Sequence, residues 1–177
     1  YYFSYSTSFN PSLEQLTSTT GTTNLPPETN EGFEIGAKYE LLKGNLSLNG
    51  ALFRIIKNNA RTTNPDGTFS PTGQIQVQGA RIGFAGRILP EWQIFGGYAY
   101  LDGRILNGTA ANTTGNVPLN TPRDSGNIWT TYTIKDTYEI GGGLFYMGAR
   151  YANNQNTVTV PAYTRFDLTA AYKQPKY

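Results

Sequence analysis

The sequence predicts an all-β fold, an antiparallel transmembrane β-barrel. Three observations lead there. The composition is rich in aromatics (14 %, with 13 Tyr) and Gly (20) and poor in charge (15 %). Gly, Thr and Asn are weak helix formers, whereas Tyr, Phe, Thr, Val and Ile suit strands. The mean hydropathy is negative and no run of apolar residues is long enough for a transmembrane helix. That is the average expected of strands with one lipid-facing and one wet side, although a soluble protein would give it too. Finally, the connections between strands alternate strictly between short and long.

Taken in order, the strands are read at residues 1–9, 28–42, 45–61, 74–89, 91–105, 123–135, 137–152 and 163–173. Short connections lie near Lys43-Gly44, Pro90, Asp136 and Gln174-Pro175. Long ones span residues 10–27, 62–73, 106–122 and 153–162, and are rich in the Asn, Thr, Gly and Pro that favour loops. Short turns at one end and long loops at the other is the pattern of an outer-membrane barrel, with the short turns periplasmic. Several strands run to about 15 residues. A bilayer crossing needs roughly 9–11 and an ordinary soluble strand has about 5–6, so the excess predicts a wall standing above the membrane.

The last strand alternates cleanly. Tyr163, Arg165, Asp167, Thr169, Ala171 and Lys173 form a mostly polar face, and Thr164, Phe166, Leu168, Ala170 and Tyr172 an apolar one. In the fourth, Ala80, Ile82, Phe84 and Ile88 oppose Arg81, Gly83, Ala85 and Arg87. In the third, Leu46 and Leu48 lie on one parity and Phe53 and Ile55 on the other; either Gly50 marks a bulge or the register assigned to this strand is wrong. Tyr39, Trp92, Tyr98, Tyr100, Tyr138, Tyr151, Tyr163 and Tyr172 lie near strand ends, as aromatic girdles would, although Tyr is also simply a good strand residue.

Several functions are excluded by what is missing. With no Cys and no His there is no disulfide, thiolate site or Ser-His-Asp triad, and most zinc sites are ruled out. We therefore expect no catalytic residues, no metal ligands and no enzyme. A net charge of +2 and eight arginines spread along the chain do not make a nucleic-acid surface. Asn64-Pro-Asp-Gly67 reads as a tight turn, Gly83-x-x-Gly86 and Gly141-Gly-Gly143 as strand glycines rather than phosphate cradles, and Glu31 with Glu34 as ordinary strand carboxylates.

Seven phrases resemble, in order, the barrel of TonB-dependent siderophore receptors. Residues 25–38 (LPPETNEGFEIGAK) resemble its "PE…E.G.K" strand and residues 51–55 (ALFRI) its "ALF.I" strand. Residues 78–81 (QGAR) stand where the family has "G.E", with Arg81 in place of the usual acid. Trp92 with residues 98–102 (YAYLD) is similar to "W…Y.Y.D", and residues 117–123 (VPLNTPR) to "P..P.H". Residues 140–143 (IGGG) and 161–167 (PAYTRFD) complete the series. The resemblance covers nearly the whole chain and is strongest to the catecholate-siderophore branch.

The resemblance implies that residues 1–177 are a partial barrel domain, about eight strands of a plugged barrel of about 22. The plug, the TonB box and the terminal strands are expected to lie elsewhere, because the chain starts at Tyr1 without Met and ends short of a terminal aromatic strand. It further implies an outer-membrane receptor for ferric siderophores, coupled to the TonB complex through the plug and in contact with lipid and lipopolysaccharide. No cofactor is implied, since iron travels as the chelate. Ligand contacts are expected from Arg61, Phe69, Tyr100, Arg104, Arg123, Arg150 and Tyr151, whose guanidinium and aromatic groups suit an anionic catecholate. The plainer alternative pairs these arginines with lumen carboxylates such as Asp102, Asp124 and Asp167. Two other readings of the chain are a self-contained eight-stranded barrel with a structural or adhesive role, and a soluble β protein such as a propeller.

Overall fold

The computed structural model describes residues 1–10, 26–63, 69–110 and 112–173, with side chains throughout except at 62–63 and 69–71. The strands are β1 (Tyr2–Asn10), β2 (Glu28–Leu41), β3 (Leu46–Thr63), β4 (Phe69–Leu89), β5 (Trp92–Gly108), β6 (Asp124–Ile134), β7 (Tyr138–Met147), β8 (Arg150–Tyr151), β9 (Thr159–Val160) and β10 (Tyr163–Tyr172). Eight form one antiparallel sheet in the order β1-β2-β3-β4-β5-β6-β7-β10, and β8 pairs with β9 in a ribbon of two. Among the described residues β1 and β10 are the edges, so the sheet is an open wall and not a closed eight-stranded barrel.

The short connections are turns whose backbone demands explain them. Leu42 and Lys43 take φ of 52° and 57° ahead of Gly44, and Lys135 and Asp136 take 50° and 52°. Consecutive positive φ values match the twist of a tight hairpin. The expected turn at Gln174-Pro175, the Asn64-Pro-Asp-Gly67 turn and most of the first long loop lie outside the described residues.

Two expectations are corrected. The single strand read at 137–152 breaks after Met147. There the Gly148 N–H bonds to the Asp124 carbonyl at 2.8 Å, and a Cβ on Gly148 would stand 2.7 Å from that oxygen. β8 then turns away to pair with β9. Gly50 is not a bulge either: it sits in an unbroken ladder between Ala37 and Ile82. The register shifts higher up, between Lys57 and Ala60, where Asn59 has φ of 53°.

Antiparallel partners share a face of the sheet, so the ladders sort every side chain. One face carries Phe3, Ile35, Leu52, Ile82, Ile128, Ile140, Phe166 and Leu168. These residues are exposed: Leu168 to 90 %, Phe166 to 72 %, Phe3 to 69 % and Leu52 to 61 %. Among the described residues the buried hydrophobic core is Ala51, Ala60 and Ile105, and Pro118, in the segment after β5, is buried as well. A sheet with so little core is unstable in water, whereas hydrocarbon against this face meets the need directly. We call it the outward face.

The opposite, inner face holds Ser4, Ser6, Glu34, Lys38, Asn49, Arg81, Asn127, Arg165 and Asp167 in its ladders. Phe53 and Ile55 also point inward, opposite Glu34 and Gly32. This is why the parity of β3 misleads: the strand is apolar outward near its lower end and apolar inward near its upper end.

The outward apolar band has a definite top. The ladder row Phe33–Arg54–Gln78–Asp102 is largely polar, and Gln76–Arg104 lies above it. β3, β4 and β5 are 18, 21 and 17 residues long, against 11, 10 and 10 for β6, β7 and β10. The long strands outrun the roughly 9–11 residues a membrane requires, and the outward side of their upper halves becomes polar. Tyr39, Trp92, Tyr132, Tyr138 and Tyr172 mark the short-turn edge of the band and Tyr100 lies near its top, whereas Tyr98, beside Ile82, sits inside the band. Tyr163 is on the inner face beside Phe145 (ring centroids 6.0 Å apart), and Tyr151 belongs to the ribbon, so neither joins a girdle.

Candidate functional site

The upper end of β5 is where three of the predicted ligand residues, Tyr100, Arg104 and Arg123, meet. The segment before β6 folds back along β5: the Ile105 N–H bonds to the Asn116 carbonyl (2.9 Å) and the Gly115 N–H to that of Ile105 (2.8 Å). Ile105 of β5 is buried, as are Thr113 and Pro118 of the segment itself. The Leu101 N–H donates to the Arg123 carbonyl at 2.8 Å, extending the β5–β6 ladder by one residue and fixing Arg123.

The Arg123 guanidinium lies 5.2 Å from the centre of the Tyr100 ring and donates to its hydroxyl at 3.2 Å. That hydrogen bond, the largest influence on it, raises the guanidinium pKa further, so the cation is permanent. Arg104 Nε stands 3.4 Å from Asp102 Oδ1, and Gln78 donates to the other carboxylate oxygen at 3.2 Å. Tyr98 donates to Asp124. Together Tyr100, Asp102, Arg104, Val117, Thr121 and Arg123 line a cavity of about 300 Å³. An exposed arginine with one carboxylate partner loses little by exchanging it, so the cavity can receive an anion, with an aromatic face beside it.

The position of this cluster corrects one expectation. Tyr98, Tyr100, Asp102, Arg104 and Asp124 are all on the outward face, with Tyr98 inside the apolar band, Tyr100 and Asp124 at its top and Asp102 and Arg104 above it. Asp102 and Asp124 are therefore not lumen carboxylates; Asp167 is, and it pairs with Arg165 at 3.0 Å.

The other predicted residues lie apart. Arg61 is near the top of β3, its backbone N–H bonded to Glu28 (2.9 Å) and its guanidinium to the Pro26 carbonyl. Phe69 begins β4, and its side chain is outside the described residues. Arg150 Nε donates to Asn120 Oδ1 at 2.8 Å, and the Tyr151 carbonyl accepts the Asn120 N–H at 2.7 Å. Arg150 and Tyr151 are thus tied to the same folded segment as the cavity.

Two features escaped the sequence reading. One is an asparagine clasp between the segment before β6 and the ribbon hairpin. Asn156 Oδ1 accepts the Val117 N–H (2.9 Å) while its Nδ2 donates to the Val117 carbonyl (2.8 Å), as a neighbouring strand would. Asn154 Oδ1 takes the Leu119 N–H at 2.9 Å, and Asn116 donates to the Asn154 carbonyl at 2.9 Å. The second is on the inner face. Arg81 reaches across β3 to hold both oxygens of Glu34 at 2.8 Å, and Tyr2 donates to the same carboxylate at 2.6 Å. The residue under the span is Ala51, small enough to permit it. Here the arginine that departs from the family pattern finds its partner.

Residues 1–177 match, over their whole length, the family described as TonB dependent receptor-like, beta-barrel. The chain belongs to this family. It is 35 % identical over 191 residues to the probable TonB-dependent receptor BfrD of Bordetella pertussis, covering 99 % of this chain and 26 % of that protein. It is 35 % identical over 144 residues to the catecholate siderophore receptor Fiu of Escherichia coli K12, covering 80 % of this chain and 19 % of the relative. The crystal structure of the siderophore receptor PiuA from Acinetobacter baumannii superposes with a TM-score of 0.82 at 31 % identity, over 98 % of this chain and 27 % of PiuA. The chain spans about a quarter of the length of BfrD and PiuA. Membership places the sheet in a bacterial outer membrane and removes the soluble propeller reading.

Proposed function

We propose that the chain forms a section of the wall and outer rim of a TonB-dependent receptor that takes up ferric siderophores, anionic catecholate chelates foremost. The match of the full chain to the receptor-barrel family carries this reading. Energy comes from the TonB complex through a plug segment of the whole receptor. The iron stays chelated throughout, so no cofactor or metal ligand is needed and no bond chemistry is performed. Nucleic acid has no part in it.

Arg61, Phe69, Arg150 and Tyr151 are assigned to the loop side of capture. Tyr100, Arg104 and Arg123 bind an anionic group at the rim. Their outward placement favours two sources of it: the chelate as it approaches the loops, or a phosphate of lipopolysaccharide packed against the wall.

The test uses the full-length receptor with Arg104→Ala and Arg123→Ala together. Loss of hydrogen bonds to a charged ligand costs about 1.5–3 kcal/mol, so the Kd for a ferric catecholate is expected to rise at least about ten-fold. An unchanged Kd with less co-purified lipopolysaccharide would assign the pair to anchoring the wall. Absence of iron-chelate uptake by the unaltered receptor would reject the siderophore reading itself.

A further inference from the structure

The outward apolar band is not a continuous ridge. In the ladder row Thr130–Gly142–Leu168 the central residue has no side chain, and the row below it, Tyr132–Ile140–Ala170, ends in a methyl group. Trp92 stands opposite Tyr132, and its indole N–H donates to Thr130 Oγ1 at 2.6 Å. The result is a groove of about 730 Å³ running across β5, β6, β7 and β10, lined by Trp92, Tyr132, Ile140, Gly142, Leu168 and Ala170. Its polar donors are satisfied: Thr130 Oγ1 accepts the indole N–H and donates in turn to the Gln93 carbonyl at 3.0 Å. A Cβ on Gly142 would lie 2.9 Å from Leu168 Cδ2, so the leucine overhangs the bare backbone and forms one wall.

We propose that this groove seats one acyl chain of a phospholipid from the periplasmic leaflet. The groove is continuous with the face that hydrocarbon covers. An apolar hollow there is not filled by water, and a lipid chain lying in it gains dispersion contacts on three sides rather than one. The leaflet follows from height. The groove lies at the short-turn end, the periplasmic end of such barrels. Trp92, Tyr132, Tyr138 and Tyr172 edge it there, at the level where amphipathic rings meet headgroups. Lipopolysaccharide, confined to the other leaflet, is not the occupant. The assignment rests on the membrane location and stands independently of which ligand the receptor carries.

The experiment is native mass spectrometry of the full-length receptor, extracted in mild detergent and titrated with phosphatidylethanolamine. Ala170→Phe fills the groove from its mouth, and Gly142→Leu fills it from its floor; gel mobility with and without heating verifies that each variant is folded. The unaltered receptor is expected to keep one phospholipid after the remaining lipid has been stripped, with both variants lowering that retention about ten-fold, as loss of a few buried methylenes requires. Should Ala170→Phe fail to fold, Gly142→Leu decides. Equal retention in the unaltered receptor and the folded variants, or no retained phospholipid at all, would overturn the proposal.

Discussion

Replacing Ile82 by arginine is expected to cost the folded receptor about 2–4 kcal/mol, the range for a cation placed on the lipid face of a barrel near the middle of the bilayer. Ile82 lies on the outward face between Gly50 and Tyr98, and is 59 % exposed. In a water-soluble protein, exchange of so open a residue would change stability by no more than about 0.5 kcal/mol. The size of the effect therefore reads out the solvent on that face. Asn49→Arg is the matched control, because Asn49 is on the neighbouring strand and faces inward. It is expected to be nearly neutral. Urea unfolding of the full-length receptor in lipid vesicles measures both. Equal, small effects at the two positions would mean that the outward face is wet, and the membrane-spanning assignment of the wall would fail with it.

The strands were legible because their connections carry the punctuation. Lys43-Gly44 and Asp136 mark turns that the backbone confirms with positive φ, and the alternation in residues 163–173 gives the correct faces of β10. What misled was the assumption that charge points inward. Asp102 shares the parity of Tyr98 and Tyr100, which a reader of the sequence can see. It faces outward because β5 is 17 residues long and its upper end has left the apolar band. The height of the band cannot be read from one strand; it appears only when Arg54, Gln78 and Asp102 are aligned by the ladders. Long-range pairs were likewise hidden. Arg81 and Glu34 are 47 residues apart and meet only because Ala51 lies between them. The loop asparagines read as loop composition, since nothing local distinguishes an Asn that bends its own turn from one that clasps another segment.

Asn156→Ala is expected to open that clasp. Asn156 contributes in two separable ways. Its side chain closes both hydrogen bonds to Val117, at 2.9 and 2.8 Å, and each such bond contributes about 0.5–1.5 kcal/mol. Its backbone has φ of 58°, which Asn tolerates and which costs most other residues about 1–2 kcal/mol. Alanine loses on both counts; glycine loses the hydrogen bonds and keeps the backbone. Amide exchange at Val117 should therefore quicken about 30-fold or more in Asn156→Ala, equivalent to about 2 kcal/mol, and less in Asn156→Gly. The effect should extend to Leu119, which depends on Asn154 two residues away, and should spare amides in the β3–β4 ladder. If Val117 exchanges no faster in Asn156→Ala, the segment is held by its own bonds to Ile105, and the ribbon hairpin moves independently of the rim. If exchange quickens at Val117 and Leu119 together, the two loops form one body. Ligand capture at this rim then works against a prearranged surface, because Arg150, fastened to Asn120, and Arg123, fastened to Tyr100, are held by the same clasp.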